Sequence, residues 1–259
     1  MINQIRELVR YREAIRTLVA RDLRVRYSNS ILGVLWSLFS PLLMMLVFTV
    51  VFTFFAPSQI EKYPVYILAG LLPWNFLTSS LIGAMVSIVH NGPLISRVYF
   101  PRDILPISAV LSNLVNFLLA LLLLFAMIVI YHIPVGFSLL CLPIVILIQC
   151  LFNLGVGLIL AALNVHYRDT QAIMDVVILA WFFVTPILYS IERMRPTTRP
   201  LVLLLNPLAA LVVSYREILY LGRWPDPRLL LTTSAEVLVL LAVAYWFFHK
   251  NSPAFVEQL

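Results

Sequence analysis

The side chains best equipped for chemistry in this chain are its arginines. Lys62 and Lys250 are the only lysines among eighteen basic residues, and the formal charge is +6 over 259 residues. A guanidinium offers planar, paired donors that match phosphate oxygens, so the chemistry on offer is anion binding rather than bond making. Arg21, Arg24 and Arg26 end abruptly at Tyr27, and a polar Ser28-Asn29-Ser30 turn, Gly33 and the water–lipid boundary residue Trp36 follow. No G-x-x-x-x-G-K-[ST] loop occurs, so any nucleotide engine is another polypeptide. His90, His132, His166 and His249 lie far apart with neither H-x-x-x-H nor C-x-x-C spacing, which argues against a metal site. There is no G-x-S-x-G nucleophile motif. The expectation is a chain that is not an enzyme.

Charge within apolar sequence is costly, on the order of 2.5 to 3.5 kcal/mol per residue, and defaults to function. Asp175 and Glu236 are the two cases. Asp175 lies one turn inside its segment, in reach of water or Arg168, and Glu236 is expected to form a structural pair within a bundle. Asn113, Asn116, Gln149 and Asn153 read as interhelical hydrogen-bonding residues ahead of substrate contacts. Gly155, Gly157 and Ala161 read as a close helix contact. Aromatic residues cluster near the segment ends, as a boundary belt does. Phe39 and the Trp181, Phe182, Phe183 group are instead the candidate lining of a conduit, since flat rings hold a sliding sugar chain without deep wells.

The elements that must position these residues follow from composition. The chain is 62% hydrophobic and 12% charged, with a mean hydropathy of +0.97, too apolar for a soluble fold to cover with polar surface. Lipid headgroups and anionic substrates are therefore better partners for the basic charge than nucleic acid. Apolar runs of the ~20 residues that cross a bilayer predict six transmembrane helices, at 35–55, 66–88, 107–131, 137–163, 173–191 and 229–248. Residues 2–19 carry apolar side chains at helical spacing opposite Arg6, Arg10 and Glu13, which predicts an amphipathic helix on the membrane surface. No signal peptide opens the sequence, so the first span is expected to act as an uncleaved insertion signal. Cys141 and Cys150 would face opposite sides of one helix and cannot pair.

The whole chain, 1–259, reads as a single all-α membrane domain. It consists of a surface helix and turn (1–30), five spans (35–191), an exit-side loop (192–228) and a sixth span (229–249). With both termini cytoplasmic, that side holds Arg6, Arg10, Arg12, Arg16, Arg21, Arg24, Arg26, Arg97, Arg102, Arg168 and Lys250, which satisfies the positive-inside rule. The remaining arginines all sit in the connection 192–228. Its stretch LNPLAALVVSYREILYLG is apolar but too short and interrupted to cross, which predicts a partly re-entrant segment. Asn91-Gly92-Pro93 is expected to start a short basic helix running on to Pro101 and Pro106, and NVHYRDT joins spans four and five.

Read together, RDLRVRYSNSILGVLWSLFSPLL, LLPWNF, LISRVYFPRDILP, LNVHYRDT, WFFVTPILY and LNPLAALVVSYREILYLG resemble the membrane subunit of type-2 ABC exporters. Within these, the likeness is to permeases that export polysaccharides or teichoic acids on lipid carriers, such as O-antigen and capsule permeases. The resemblance implies a homodimer in the bacterial cytoplasmic membrane with two copies of a cytoplasmic P-loop ATPase, to which ATP and magnesium belong. It implies ATPase contacts at Arg12 and Arg16, and at Leu94, Ile95, Arg97, Tyr99, Phe100 and Arg102. It places the re-entrant exit segment at Asn206, Pro207, Tyr215 and Arg216. Arg24, Arg26 and Arg97 then become the candidate receptors of a pyrophosphate-linked lipid headgroup. Ser28 departs from the family pattern, where a basic residue is common. Two other readings are an exporter of drugs, peptides or haem, and an intramembrane enzyme acting on lipid-linked sugars; the second lacks an acid, base or metal cluster.

Overall fold

The computed structural model describes residues 11–28, 33–55, 60–95 and 100–258. Residues 2–10 of the expected amphipathic helix, Asn29 and Ser30 of the polar turn, and Ser96, Arg97, Val98 and Tyr99 lie outside the described residues.

The described residues form helices and turns only, and one helix organises them. Helices α1 (Arg12–Tyr27), α2 (Trp36–Val50) and α3 (Tyr63–His90) come first. The four-residue α4 (Gly92–Ile95), α5 (Ile104–Ile130), α6 (Leu142–His166) and α7 (Thr170–Val184) follow. The chain closes with α8 (Arg199–Leu205), α9 (Pro207–Leu219), α10 (Pro227–Asn251) and the short α11 (Phe255–Gln258). α3 is apolar on all sides and therefore central. Val65, Ile67, Leu68, Leu71, Leu77 and Leu81 are fully buried in it, and α2, α5, α6 and α9 pack around it. α10 packs along α6 through the stripe Thr233, Val237, Ala244 and Phe248, while Leu231, Leu238, Val239, Val243 and Trp246 point outward. Gly155 and Gly157 sit where α6 meets α10 and α3 respectively, as the small-residue pattern predicts.

Four helical stretches are long and apolar enough to cross a bilayer: Tyr63–His90, Ile104–Ile130, Phe137–His166 and Pro227–Ala254. The first and fifth expected spans are shorter helices, Leu38–Phe54 and Thr170–Val184. At 15 residues, α7 is only about 22 Å long against a hydrocarbon core of about 30 Å. It stops where Thr185 precedes Pro186, because the proline ring disfavours helical geometry in the residue before it. Beyond that point the expected span continues as a run of turns and bends and a 3-10 turn, Ile191–Arg193.

The helix expected from Pro93 onward also differs. α4 ends within the described chain at Ile95, Phe100 and Pro101 are non-helical, and Pro106 falls in the first turn of α5 rather than ending a surface helix. A first-turn amide lacks an intrahelical acceptor, so proline costs nothing there. α8 and α9 form a pair bent by 107° at Asn206.

The bundle has two distinct ends. The near end holds α1, the carboxyl ends of α3, α6 and α10, and the start of α5. The far end holds the start of α3 and the turns at 131–136, 185–193 and 220–226. There, Lys62 and His132 both adopt left-handed backbone geometry, and the Lys62 ammonium donates to the His132 carbonyl at 3.2 Å. Gly222 is also left-handed, with φ of 64°, and a Cβ on it would lie 2.0 Å from the Pro134 carbonyl oxygen. Gly222→Ala is accordingly expected to destabilise the protein by about 1–3 kcal/mol or more, read as a lowered melting temperature of the detergent-purified chain. Wild-type melting would mean that these two turns do not meet.

Candidate functional site

At the near end, α1 presents Ile15, Leu18, Val19 and Leu23 as its more buried stripe, at the spacing of one helical face, with Tyr11 at its N-cap, and packs on α5. Arg12, Arg16 and Arg24 lie on its exposed side. Two cations turn toward the bundle. Arg21 donates to the Asn91 carboxamide oxygen at 3.1 Å and pairs with Asp22 at 3.1 Å. Arg26 donates through Nη1 to the Asn113 Oδ1 at 3.0 Å.

Asn113 is itself buried, and its amide nitrogen donates to the carbonyls of Ser79 at 3.1 Å and Ala109 at 2.9 Å. One asparagine thus joins α5 to α3 and to the end of α1. Cavities of about 460 Å³ and 530 Å³ flank this contact, and Arg26 and Asn113 line both.

The residues expected to meet an ATPase are spread over the same end. Ile95 is buried and Phe100 half-buried, both in a cluster with Ile88, Leu105, Phe248 and Phe255, and Arg102 is half-buried beside them. Behind them Asp103, 3% exposed, accepts from the Tyr245 hydroxyl at 3.0 Å and faces His249 at 3.7 Å. Arg97 and Tyr99 lie outside the described residues, as do the contacts of the Leu94 side chain.

Of the candidate conduit residues, Phe39 and Phe183 are exposed. Trp181 and Phe182 are packing residues here. Trp181 donates to the Asn206 Oδ1 at 3.0 Å and meets Phe152 edge-on, while Phe182 contacts Phe48, Trp74 and Phe183.

At the far end, Asn206 caps α9 through the Ala209 amide and donates to the Thr185 hydroxyl at 3.0 Å. Pro207 is the first residue of α9 and Tyr215 lies fully buried along it. The Tyr215 hydroxyl donates to Gln149 at 2.8 Å, and Gln149 donates on to the Pro73 carbonyl at 2.7 Å. α9 therefore reaches inward to a point about 15 Å along α3 from its far-end start.

Arg216 is the centre of this end. Its guanidinium donates to the carbonyls of Pro186, Ile187 and Tyr189, contacts the Tyr66 carbonyl at 3.4 Å, and stacks 3.7 Å from the Tyr66 ring centroid. The hydroxyls of Tyr63 and Tyr66 reach the carbonyls of Leu188 and Tyr189. A Cβ at position 70 would lie 2.8 Å from Arg216 Nη2, so only glycine leaves room for the clasp. Burial raises the Tyr220 hydroxyl above its ordinary value, and it stays a protonated donor, to the Glu61 carbonyl, while the Tyr189 hydroxyl donates to the Phe183 carbonyl.

Sequence reasoning placed Arg216 in the exit segment but missed this role. The available signal was an arginine inside an otherwise apolar helix, which needs partners wherever it is buried. Asp175 is exposed. Glu236 departs from expectation: among the described residues its buried Oε2 has no hydrogen-bond partner and it forms no ion pair. Among the described residues no three metal-ligating side chains converge.

The chain matches the family described as ABC-2 type transporter over residues 13–220. It is 38% identical over 260 residues to the O-antigen export system permease protein RfbA of Myxococcus xanthus, covering 100% of both chains. It is 32% identical over 242 residues to a protein of the same name from Klebsiella pneumoniae, covering 92% of each. To the polysialic acid transport protein KpsM of Escherichia coli it is 25% identical over 214 residues, covering 78% of this chain and 80% of that one.

Replacing Arg216 leaves buried carbonyls unpaired, at about 1–3 kcal/mol each. Arg216→Met is expected to lower the melting temperature of the purified chain markedly. Arg216→Lys should recover less than half of the lost melting temperature, because a single ammonium cannot span the same fork. A melt of Arg216→Met equal to wild type would refute the clasp.

Proposed function

This chain belongs to the ABC-2 type transporter family, and on that footing we propose that it is the membrane subunit of an ATP-driven exporter of lipid-linked polysaccharide. The cargo is of the O-antigen, capsule or teichoic acid type, and the barrier is the bacterial cytoplasmic membrane. The observation that carries the reading is the end-to-end match to a chain named as an O-antigen export permease.

The chain works as a homodimer with two copies of a cytoplasmic P-loop ATPase, and ATP and magnesium belong to that partner. Support for the dimer comes from α2 and α7, the two short apolar helices. Phe39, Leu43, Leu46 and Val47 on the first, and Ile173, Val176, Leu179 and Phe183 on the second, are exposed. Six crossings with both termini cytoplasmic are supported by the alternating direction of α2, α3, α5, α6, α7 and α10 between the two ends, and by the arginines of the near end. The segment 192–228 starts and finishes at the far end, which supports a re-entrant exit-side helix pair rather than a further crossing.

The mechanism follows from that arrangement. Closure of the ATPase pair on ATP pushes on α1, through Arg12 and Arg16, and on the 94–102 segment through Leu94, Ile95, Arg97, Tyr99, Phe100 and Arg102. α1 packs on α5 and Arg21 reaches Asn91 just past the end of α3, so the push passes through α5 to the central helix against which α5 packs. A passage then opens at the subunit seam. Arg24, Arg26 and Arg97 receive the pyrophosphate headgroup, and Phe39 and Phe183, with Trp181 and Phe182 behind them, line the path of the sugars. The exit segment around Asn206, Pro207, Tyr215 and Arg216 forms the far-side gate.

Deleting the chain is expected to leave lipid-linked glycan on the inner leaflet, detected by its inaccessibility to an external lectin until the cells are opened. Complementation with Arg24→Glu, Arg26→Glu together should lower export about 10-fold or more, equivalent to the loss of about 1.4 kcal/mol or more, while the ATPase still co-purifies. Undiminished export by that double variant would remove the arginines from the mechanism.

A further inference from the structure

The cavity of about 460 Å³ beside Arg26 has a lining that phosphate binding alone does not explain. Its volume falls in the range of small-molecule sites. It contains one cation, Arg26, three carboxamides, Asn75, Asn113 and Asn116, the hydroxyl residue Ser79, and the indole of Trp36. A carboxamide offers both a donor and an acceptor, and phosphate uses only the donor. The rest of the lining, Met44, Leu72, Phe76 and Phe117 among it, is apolar, but a lipid tail there would leave the carboxamides unanswered. The complement of paired donors and acceptors is a ring bearing hydroxyl or acetamido groups, and the complement of the lone guanidinium is a phosphate attached to it.

The hydrogen bonds among these residues also suggest how such a ligand would be admitted. Asn113 is anchored through its nitrogen to the carbonyls of Ser79 and Ala109, which fixes its oxygen in space. That oxygen is occupied by Arg26. Phosphate is a stronger acceptor than a neutral amide, so a phosphate arriving through the neighbouring 530 Å³ cavity draws Arg26 off and frees the Asn113 oxygen for a sugar hydroxyl or amide. Asn75 makes no side-chain hydrogen bond among the described residues, so its carboxamide is open to the cavity. Trp36, half exposed at the rim, gives the ring a flat face to stack on.

We propose that this cavity recognises the first sugar of the cargo, the neutral pyranose joined directly to the carrier phosphate, and that Asn75 and Asn113 are its specificity-determining residues. The proposal rests on the export reading given above and adds to it a site that distinguishes a glycosylated carrier from a bare one.

The test is equilibrium binding to the full chain, co-purified with its ATPase and held in lipid nanodiscs. The two probes are polyprenyl pyrophosphate bearing one N-acetylglucosamine and sugar-free polyprenyl pyrophosphate. Wild type is expected to bind the glycosylated probe about tenfold or more tightly, the equivalent of about 1.4 kcal/mol. Asn75→Ala should bring the two dissociation constants within about twofold, at 1.4 kcal/mol per tenfold, by weakening only the glycosylated probe, and Asn113→Ala should bring them equally close while also tightening the sugar-free probe, because Arg26 no longer has to leave an acceptor. Asn75→Ala breaks no described hydrogen bond and keeps the test readable should Asn113→Ala fail to fold. Arg26→Gln should weaken both probes.

Equal binding of the two probes by wild type, or a preference that survives Asn75→Ala, overturns the proposal. If Arg26→Gln still weakens both probes in that case, the export reading stands without it. Failure of wild type to bind either probe overturns both.

Discussion

Most of the far end follows from one requirement, that backbone carbonyls buried in an apolar bundle must find donors. Wherever helix is interrupted, a partner has to come from elsewhere, because lipid supplies none. The interruption after Val184 releases a short run of turns and bends, and Arg216, Tyr63 and Tyr66 answer its carbonyls. That pairing holds α9 against α3, and Glu217 on the next position holds the following turn through Arg223 and the Asp226 amide. Gly70 and Gly222 are consequences of the same packing. One makes room for a guanidinium and the other for a crossing carbonyl.

The two ends use the same residue type in opposite ways. At the far end the guanidinium of Arg216 is consumed by backbone and buried, so it stabilises an architecture and offers little to a ligand. At the near end Arg12, Arg16, Arg24 and Arg26 are largely exposed, and Arg26 is committed to a single neutral amide. A cation held by a neutral acceptor is available for exchange when an anion arrives, whereas one held by several carbonyls under a tyrosine ring is not. This contrast, rather than the count of arginines, separates the arginine that holds the fold from those proposed to bind a ligand.

The distribution of exposed apolar surface points the same way. α3 is covered by other helices, but α2 and α7 are short and lightly packed, and their aliphatic faces are open. Such helices gain their stability from what surrounds them, and a second copy of the chain is the surrounding that the proposed seam requires. The aromatic residues divide along this boundary. Phe182 and Trp181 close the interior, and Phe183 and Phe39 look out.

Much was legible from sequence alone, because hydropathy depends only on local composition and a bilayer sets a length that composition must match. The long helices at 63–90, 104–130, 137–166 and 227–251 and the interhelical tasks of Asn113, Gln149 and Asn153 are of this kind. Even the apolar stripe of α1 is written in its spacing. What sequence could not decide was where a charge goes once it is buried. Arg216 and Arg26 are chemically identical, and Glu236 looks as able to pair as Asp103 does. Only the tertiary fold brings the Ile187 and Tyr66 carbonyls around one arginine and a single carboxamide to the other. A buried charge is governed by the partners that distant segments place within 3 Å or so, and no local pattern records that distance.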